Sequence, residues 1–128
     1  MEKARVLVLD VIGGKGFYEA ECECLNDYYE HLKCETFDIA TRKVGNKYFD
    51  IFVDDIGLFV ENPIPSVVDM SLAPMLVGNC IFANHDSEGN TTSLSDDDIA
   101  IIKNEVIEIY IADKKDGYKA ITAVVGSY

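Results

Sequence analysis

Arg42, Lys43 and Lys47 form the densest basic patch of a chain that carries 11 basic against 23 acidic residues. Cations focused in an acidic field are what the anionic group of a small molecule requires, and arginine adds a planar fork that matches phosphate oxygens. Asn79, Asn84 and Asn90 have the donors and acceptors to read a base edge or a ribose, and Tyr48 or Phe82 can stack on a ring. The candidate ligand-binding set is therefore Arg42, Lys47, Tyr48, Asn79, Phe82, Asn84 and Asn90, with Arg42 as anchor and Lys47 as support. The competing reading is plainer: the same cations solubilise the tip of a hairpin.

Other constellations carry less. No serine, cysteine or lysine stands in a nucleophile motif, and the two histidines, His31 and His85, fall on a short helix and in a polar loop, so no catalytic residue is assigned. Cys22, Cys24, His31 and Cys34 are enough soft ligands for zinc on a count. The first two alternate along a strand with Cβ atoms roughly 6.5–7 Å apart, whereas a zinc knuckle closes around a tight turn. Neither a metal nor another cofactor is expected. Gly13-Gly14-Lys15-Gly16 after an apolar strand invites a phosphate-loop reading, but such a loop must open a helix. Here Tyr18, Ala20, Cys22 and Cys24 alternate with Glu19, Glu21 and Glu23. The expectation is a strand over residues 16–24 with the glutamates facing solvent, and the glycines are a hairpin turn.

The elements that must position these residues follow from periodicity. Arg5 to Val11 is a buried strand, and Asn26 caps a short helix from Asp27 to Leu32. Thr36 to Asp55 reads as two alternating strands around Val44-Gly45-Asn46, with Phe37, Ile39 and Thr41 on one face of the first and Phe49, Ile51 and Val53 on one face of the second. Arg42 and Lys43 then point to opposite sides of their strand. Gly57, Asn62-Pro63-Ile64-Pro65 and Pro74 mark a long irregular segment with short apolar pieces at Leu58–Val60 and Ser66–Val68. Met75 to Asn84 reads as one strand, bulged at Gly78-Asn79. Ser95 caps the main helix, Asp96, Asp97 and Asp98 complement its dipole, and Leu94 staples onto Ile99. That helix is expected over about 96–112, ended by Lys114-Lys115-Asp116-Gly117, with a last strand from Tyr118 to Val125. The expected fold is α+β: a mostly antiparallel sheet of five to six strands built from hairpins, one short helix at about 27–32 and one main helix. Residues 1–128 make a single domain, with 113–128 a possible C-terminal extension strand.

A net charge of −12 repels nucleic acid and anionic membranes, so neither is an expected direct partner. The N-terminal apolar run is short, is interrupted by Asp10 and has no cleavage site after it, so the expected location is the bacterial cytoplasm with its cysteines reduced. The apolar faces of the main helix and a candidate edge at the last strand point to a homo-oligomer.

The stretch LNDYYEHLKCETFDIATRKVGNKYFDIFVDDIGLF, the later MLVGN and the capped TSLSDDDI are similar to domain of unknown function 3846, found in Firmicute phages, plasmids and conjugative elements. The resemblance runs from about Val6 to Glu108 and rests on the short helix, an Arg-x-x-Gly-x-Lys hairpin, an Asp-Asp-x-Gly-Leu step and a Val-Gly-Asn strand. Arg42, Gly45, Lys47, Asp54, Asp55, Gly57 and Asn79 stand at those positions. It implies no catalytic assignment. It does imply the company of mobile elements, and with it a role against host defence. Two functions fit: a non-enzymatic anti-defence protein that sequesters a small phosphorylated, nucleotide-type immune signal, or an acidic inhibitor that mimics nucleic acid against a host defence nuclease. The second would use the row Glu19, Glu21 and Glu23 together with Asp96 to Asp98.

Overall fold

The computed structural model describes residues 3–12, 15–54, 65–68, 74–111 and 118–124, with side chains left undescribed at 65, 74–75, 107–111 and 118–124. The Gly13-Gly14 pair, the segment 55–64 and the expected helix end at Lys114–Gly117 lie outside the described residues.

Strand β1 (Ala4–Asp10) is the axis of the molecule. Its run of branched residues buries both faces, as a central strand requires. Leu7 and Leu9 enter one core with Val11, while Ala4, Val6 and Val8 enter another. The strand pairs antiparallel with β2 (Gly16–Cys22) on one side and β7 (Cys80–His85) on the other. Beyond β7 lie β4 (Lys47–Asp54) and then β3 (Phe37–Val44), and the short β8 (Thr91–Thr92) also pairs with β7. The result is a six-stranded antiparallel sheet in the order β2-β1-β7-β4-β3, with β8 off that path. The expected α+β architecture is therefore present, and the hairpins of this sheet include β1/β2, β3/β4 and β7/β8. Beside it stands a second, four-stranded sheet, β6-β5-β10-β9, made of β5 (Pro65–Val68), β6 (Pro74–Val77), β9 (Val106–Ile111) and β10 (Tyr118–Val124), in which β10 and β5 run parallel.

Helix α1 (Leu25–Leu32) covers part of one face of the large sheet, burying Tyr28 and Leu32 against Val6, Val8, Cys22, Phe52 and Ile81. Helix α2 (Asp96–Asn104) covers the other face with Ile99 and Ile102, and Val67 of the second sheet joins that same core. Among the described residues no helix is long and apolar enough to cross a membrane.

Three expectations about boundaries are corrected. The short helix starts at Leu25, not Asp27, with Cys24 rather than Asn26 at the cap. Asp27 sits at its third position and accepts from the amides of Glu23 (2.7 Å) and Cys24 (3.2 Å), which hold its carboxyl below the usual range. Second, the run 75–84 is two strands in two sheets: Gly78, at φ +78°, breaks the chain between β6 and β7. Third, the main helix stops at Asn104 rather than near 112, and residues 106–111 form β9 against β10 in the register Val106↔Ala123 to Ile111↔Tyr118. The sequence VIEIYI suits either period, and its β-branched and aromatic content favours a strand once a partner strand is at hand.

Candidate functional site

The β3/β4 hairpin closes on a two-residue Gly45-Asn46 loop between the paired Val44 and Lys47. Gly45 has φ +62°, the sign a primed turn demands at its first central position. A Cβ there would lie 3.0 Å from Cγ2 of Ile101, so the tip also presses on α2. Register then sorts the side chains. Arg42, Val44, Lys47, Phe49 and Ile51 share the α2 face, while Phe37, Ile39, Thr41, Lys43, Tyr48, Asp50 and Phe52 share the α1 face.

Helix α1 is only eight residues long and covers only part of that second face. Its Tyr28 stacks on Phe52 at 4.8 Å between ring centroids. Toward the hairpin tip the sheet surface opens. Ile39 is 52% exposed and Tyr48 46% exposed, large apolar area for a sheet to leave uncovered. Lys43 is paired with Tyr48 across the strands. Asp50 pairs with Ala83 of β7, where the β4/β7 pairing ends, and His85 lies two residues further along β7 on the same face as Ala83. Lys43, Tyr48 and His85, contributed by three strands, therefore fall in a row on one surface.

At the foot of this row a buried carboxylate holds an imidazole. Asp50 Oδ2 lies 3.0 Å from His85 Nδ1, and Asp50 Oδ1 accepts from the Thr41 hydroxyl at 2.8 Å. The Asp50 side chain is 13% exposed against 43% for His85. A carboxylate can only accept, so Nδ1 carries the shared proton and Nε2 is the ring atom left to meet a ligand. Such a pair can donate to or accept from a phosphate or a sugar hydroxyl. With a nucleophile delivered by a substrate it could also serve as a base. Asp50, His85 and Thr41 are not in the ligand-binding set expected from sequence, where His85 reads as a polar loop residue; Asp50 interrupts the buried run FDIFV, which is the one local signal.

The sequence candidates fall in several places. Lys47 and Asn84 meet on the α2 face at Asp98: Lys47 Nζ donates to Oδ1 (2.6 Å) and Asn84 Nδ2 to Oδ2 (2.7 Å). Asp98 also accepts from the Ser95 amide (2.9 Å) while its own amide donates to Ser95 Oγ (3.1 Å), closing a capping box. Burial would raise the Asp98 carboxyl, but the donors from Lys47, Ser95 and Asn84 outweigh it and bring it down to about 2. Arg42 lies on the same face, half-buried, with Nη1 donating to the Thr41 carbonyl at 2.9 Å. Asn79, 1% exposed, accepts from the amides of Val11 and Ile12 and donates to the His31 carbonyl, tying the end of β1 to α1. Phe82 is fully buried beside Phe17, and Asn90 closes the β7–β8 loop onto Asp86. Only Tyr48 of the seven reaches the open surface described here.

The remaining constellations also resolve. Glu19, Glu21 and Glu23 are exposed on or just beyond β2, as expected, but Lys3 pairs with Glu21 at 2.9 Å and Arg5 bridges Glu19 and Asp96 at 2.6 and 2.7 Å. That carboxylate row is partly neutralised from within. Cys22 is buried in the core and Cys24 is exposed at the cap of α1, so strand alternation does not extend to Cys24. Among the described residues no cluster suited to a metal ion is present.

A family model described as Domain of unknown function (DUF3846) matches residues 4–107. No curated protein and no solved structure matches.

Proposed function

The chain belongs to the DUF3846 family, and from the open sheet face we propose that it is a non-enzymatic binding protein for a small phosphorylated, nucleotide-type molecule. The observation that carries this reading is the row Lys43–Tyr48–His85, with the imidazole held by buried Asp50, in a chain of net charge −12. An exposed ring on a sheet is a stacking platform for a base, and a cation on one side and an imidazole on the other suit a phosphate. The acidic remainder of the surface disfavours long nucleic acids and leaves small anions as the ligands that a local cation can hold. The role attached to this binding is sequestration, the withdrawal of a phosphorylated signal from host defence, in the mobile-element setting that the family resemblance implies. The carboxylate-mimic alternative draws less support, because Lys3 and Arg5 occupy its row.

A thermal-shift screen with cyclic and linear nucleotides tests the reading. A probe at a hundred times its dissociation constant adds about 2.7 kcal/mol, several degrees for a domain of this size. Tyr48→Ala and Lys43→Ala should each weaken that probe at least tenfold, about 1.4 kcal/mol. Arg42→Ala, on the opposite face, should not, and chromatography should return the probe chemically unchanged. Loss of binding in Arg42→Ala with none in Tyr48→Ala would move the site to the opposite, α2 face of the hairpin. A screen in which no probe raises the melting temperature would end the proposal.

A further inference from the structure

The Asp50–His85 pair gives the open face a polarity. Asp50 Oδ1 takes the Thr41 hydroxyl at 2.8 Å, and Oδ2 takes the Nδ1 proton of His85 at 3.0 Å. A carboxylate has no proton to offer, so the neutral ring is held as the Nδ1–H tautomer and its Nε2 is an acceptor. The His85 side chain is 43% exposed against 13% for Asp50, so a ligand meets that acceptor and not the carboxylate behind it. At the other end of the row Lys43 offers three donors and no acceptor. Tyr48 stands between them, 46% exposed. Thr91, opposite His85 on β8, has a hydroxyl that takes either role and leaves this polarity intact. From β3 to β7 the surface runs donor, ring, acceptor.

We infer that His85 determines specificity for the base: its Nε2 accepts from the exocyclic amine of an adenine stacked on Tyr48, while Lys43 holds the phosphate. This rests on the binding reading above and sharpens it, giving the phosphate to Lys43 and the base edge to His85. The order of groups in a nucleotide decides between sugar and base. Neighbouring strands lie roughly 4.8 Å apart, so Lys43 and His85 flank Tyr48 on opposite sides. Phosphate, sugar and base follow one another in line. With the phosphate at Lys43 and the base over Tyr48, the sugar lies between those two, and the base edge remote from the sugar reaches His85. There adenine carries an amine, whereas guanine and thymine carry a carbonyl. An acceptor facing a carbonyl makes no hydrogen bond, and both groups lose their water. Cytosine also carries an amine, but the two rings of adenine stack over more of Tyr48.

The experiment compares adenosine 5′-monophosphate with purine riboside 5′-monophosphate, which lacks only the amine, by calorimetric titration at about pH 8.5, where imidazoles are ordinarily neutral. Wild type should bind the first about fivefold more tightly, the range of one neutral hydrogen bond. His85→Phe should bring that ratio to about one, and His85→Gln, whose carbonyl can accept, should recover part of it. Asp50→Asn tests the positioning role. Thr41 holds the asparagine carbonyl, the amide NH2 turns to Nδ1 and Nε2 becomes a donor, so the ratio should again fall to about one. Nitrogen-15 spectra of histidine-labelled protein read the tautomer directly, since the chain has two histidines and His31→Gln tells them apart. The His85 proton should sit on Nδ1 in wild type and on Nε2 in Asp50→Asn. If neither nucleotide binds, the binding reading and this assignment fall together. Equal affinity of wild type for the two, a ratio unchanged in His85→Phe, or a wild-type ring with its proton on Nε2 would each overturn the assignment alone.

Discussion

Replacing Asp98 with asparagine asks whether Lys47 and Asn84, two residues with binding chemistry, are committed to holding a helix. Asp98 Oδ1 takes the Lys47 ammonium at 2.6 Å, and Oδ2 takes Asn84 at 2.7 Å and the Ser95 amide at 2.9 Å. These donors bring the carboxyl from 3.8 to about 2 in the folded chain. A depression of that size corresponds to about 2 kcal/mol of stability at neutral pH. Asparagine keeps one acceptor oxygen but turns an amide donor toward the remaining donors, so the expected loss is about 2–3 kcal/mol, or roughly 10 °C in melting temperature. The sign with pH follows from a depressed carboxylate. The contribution is complete above the ordinary carboxylate range, declines as pH falls below about 4, and is gone once pH passes through the folded value of about 2. Urea unfolding followed by circular dichroism from pH 7 to pH 2 should show the gap between wild type and Asp98→Asn shrink to under about 0.5 kcal/mol. A variant as stable as wild type at pH 7, or a gap that persists unchanged at pH 2, would show that the Lys47–Asp98–Asn84 cluster does not hold α2.

Asn79→Ala should cost about 2–3 kcal/mol in the same unfolding assay, because it strips the amides of Val11 and Ile12 and the His31 carbonyl of their side-chain partner; wild-type stability would instead free Asn79 for a surface role. Thiol titration under native conditions should modify exposed Cys24 and spare Cys22 and Cys80, whose thiols burial pushes up to about 12, until denaturant is added. Rapid native labelling of Cys80 would contradict its place in the core.

Where one strand and its own neighbour determine the pattern, the fold is legible from residues alone. The Glu19/Glu21/Glu23 alternation places β2, and Gly45-Asn46 between two alternating runs places the β3/β4 hairpin. The Ser95-to-Asp98 box places the start of α2 to the residue. Each of these signals lies within a few residues of what it specifies. The end of α2 is different. Ile99, Ile102, Val106 and Ile109 satisfy a helical period, and Val106, Glu108 and Tyr110 against Ile107, Ile109 and Ile111 satisfy a strand period. The choice falls to β10, a partner beginning at Tyr118, and to β5 beyond it. The break at Gly78 is of the same kind. An apolar run on both sides of a glycine is silent about whether the two halves join one sheet or two.

The site was less legible because the deciding fact is which face of the hairpin a helix covers. Parity within β3 and β4 does separate Arg42 from Lys43 and Lys47 from Tyr48. It does not say that α2 will settle over Lys47 and bring Asp98 to it, or that α1 will stop short of Tyr48. The partner of Asp50 is further out of reach: His85 arrives through the β4/β7 pairing, 35 positions along the chain, and a histidine after Asn84 reads locally as loop. Residue type alone thus favoured Lys47, Asn79, Asn84 and Phe82, polar or aromatic side chains that the fold consumes in a cap, a clamp and a core. What remains on the open surface is the complement, Lys43, Tyr48 and the Asp50-held His85. Their common position follows from one physical cause. An eight-residue helix cannot cover five long strands, and the end of the sheet that α1 does not reach is the end where the hairpin presents a cation beside a ring.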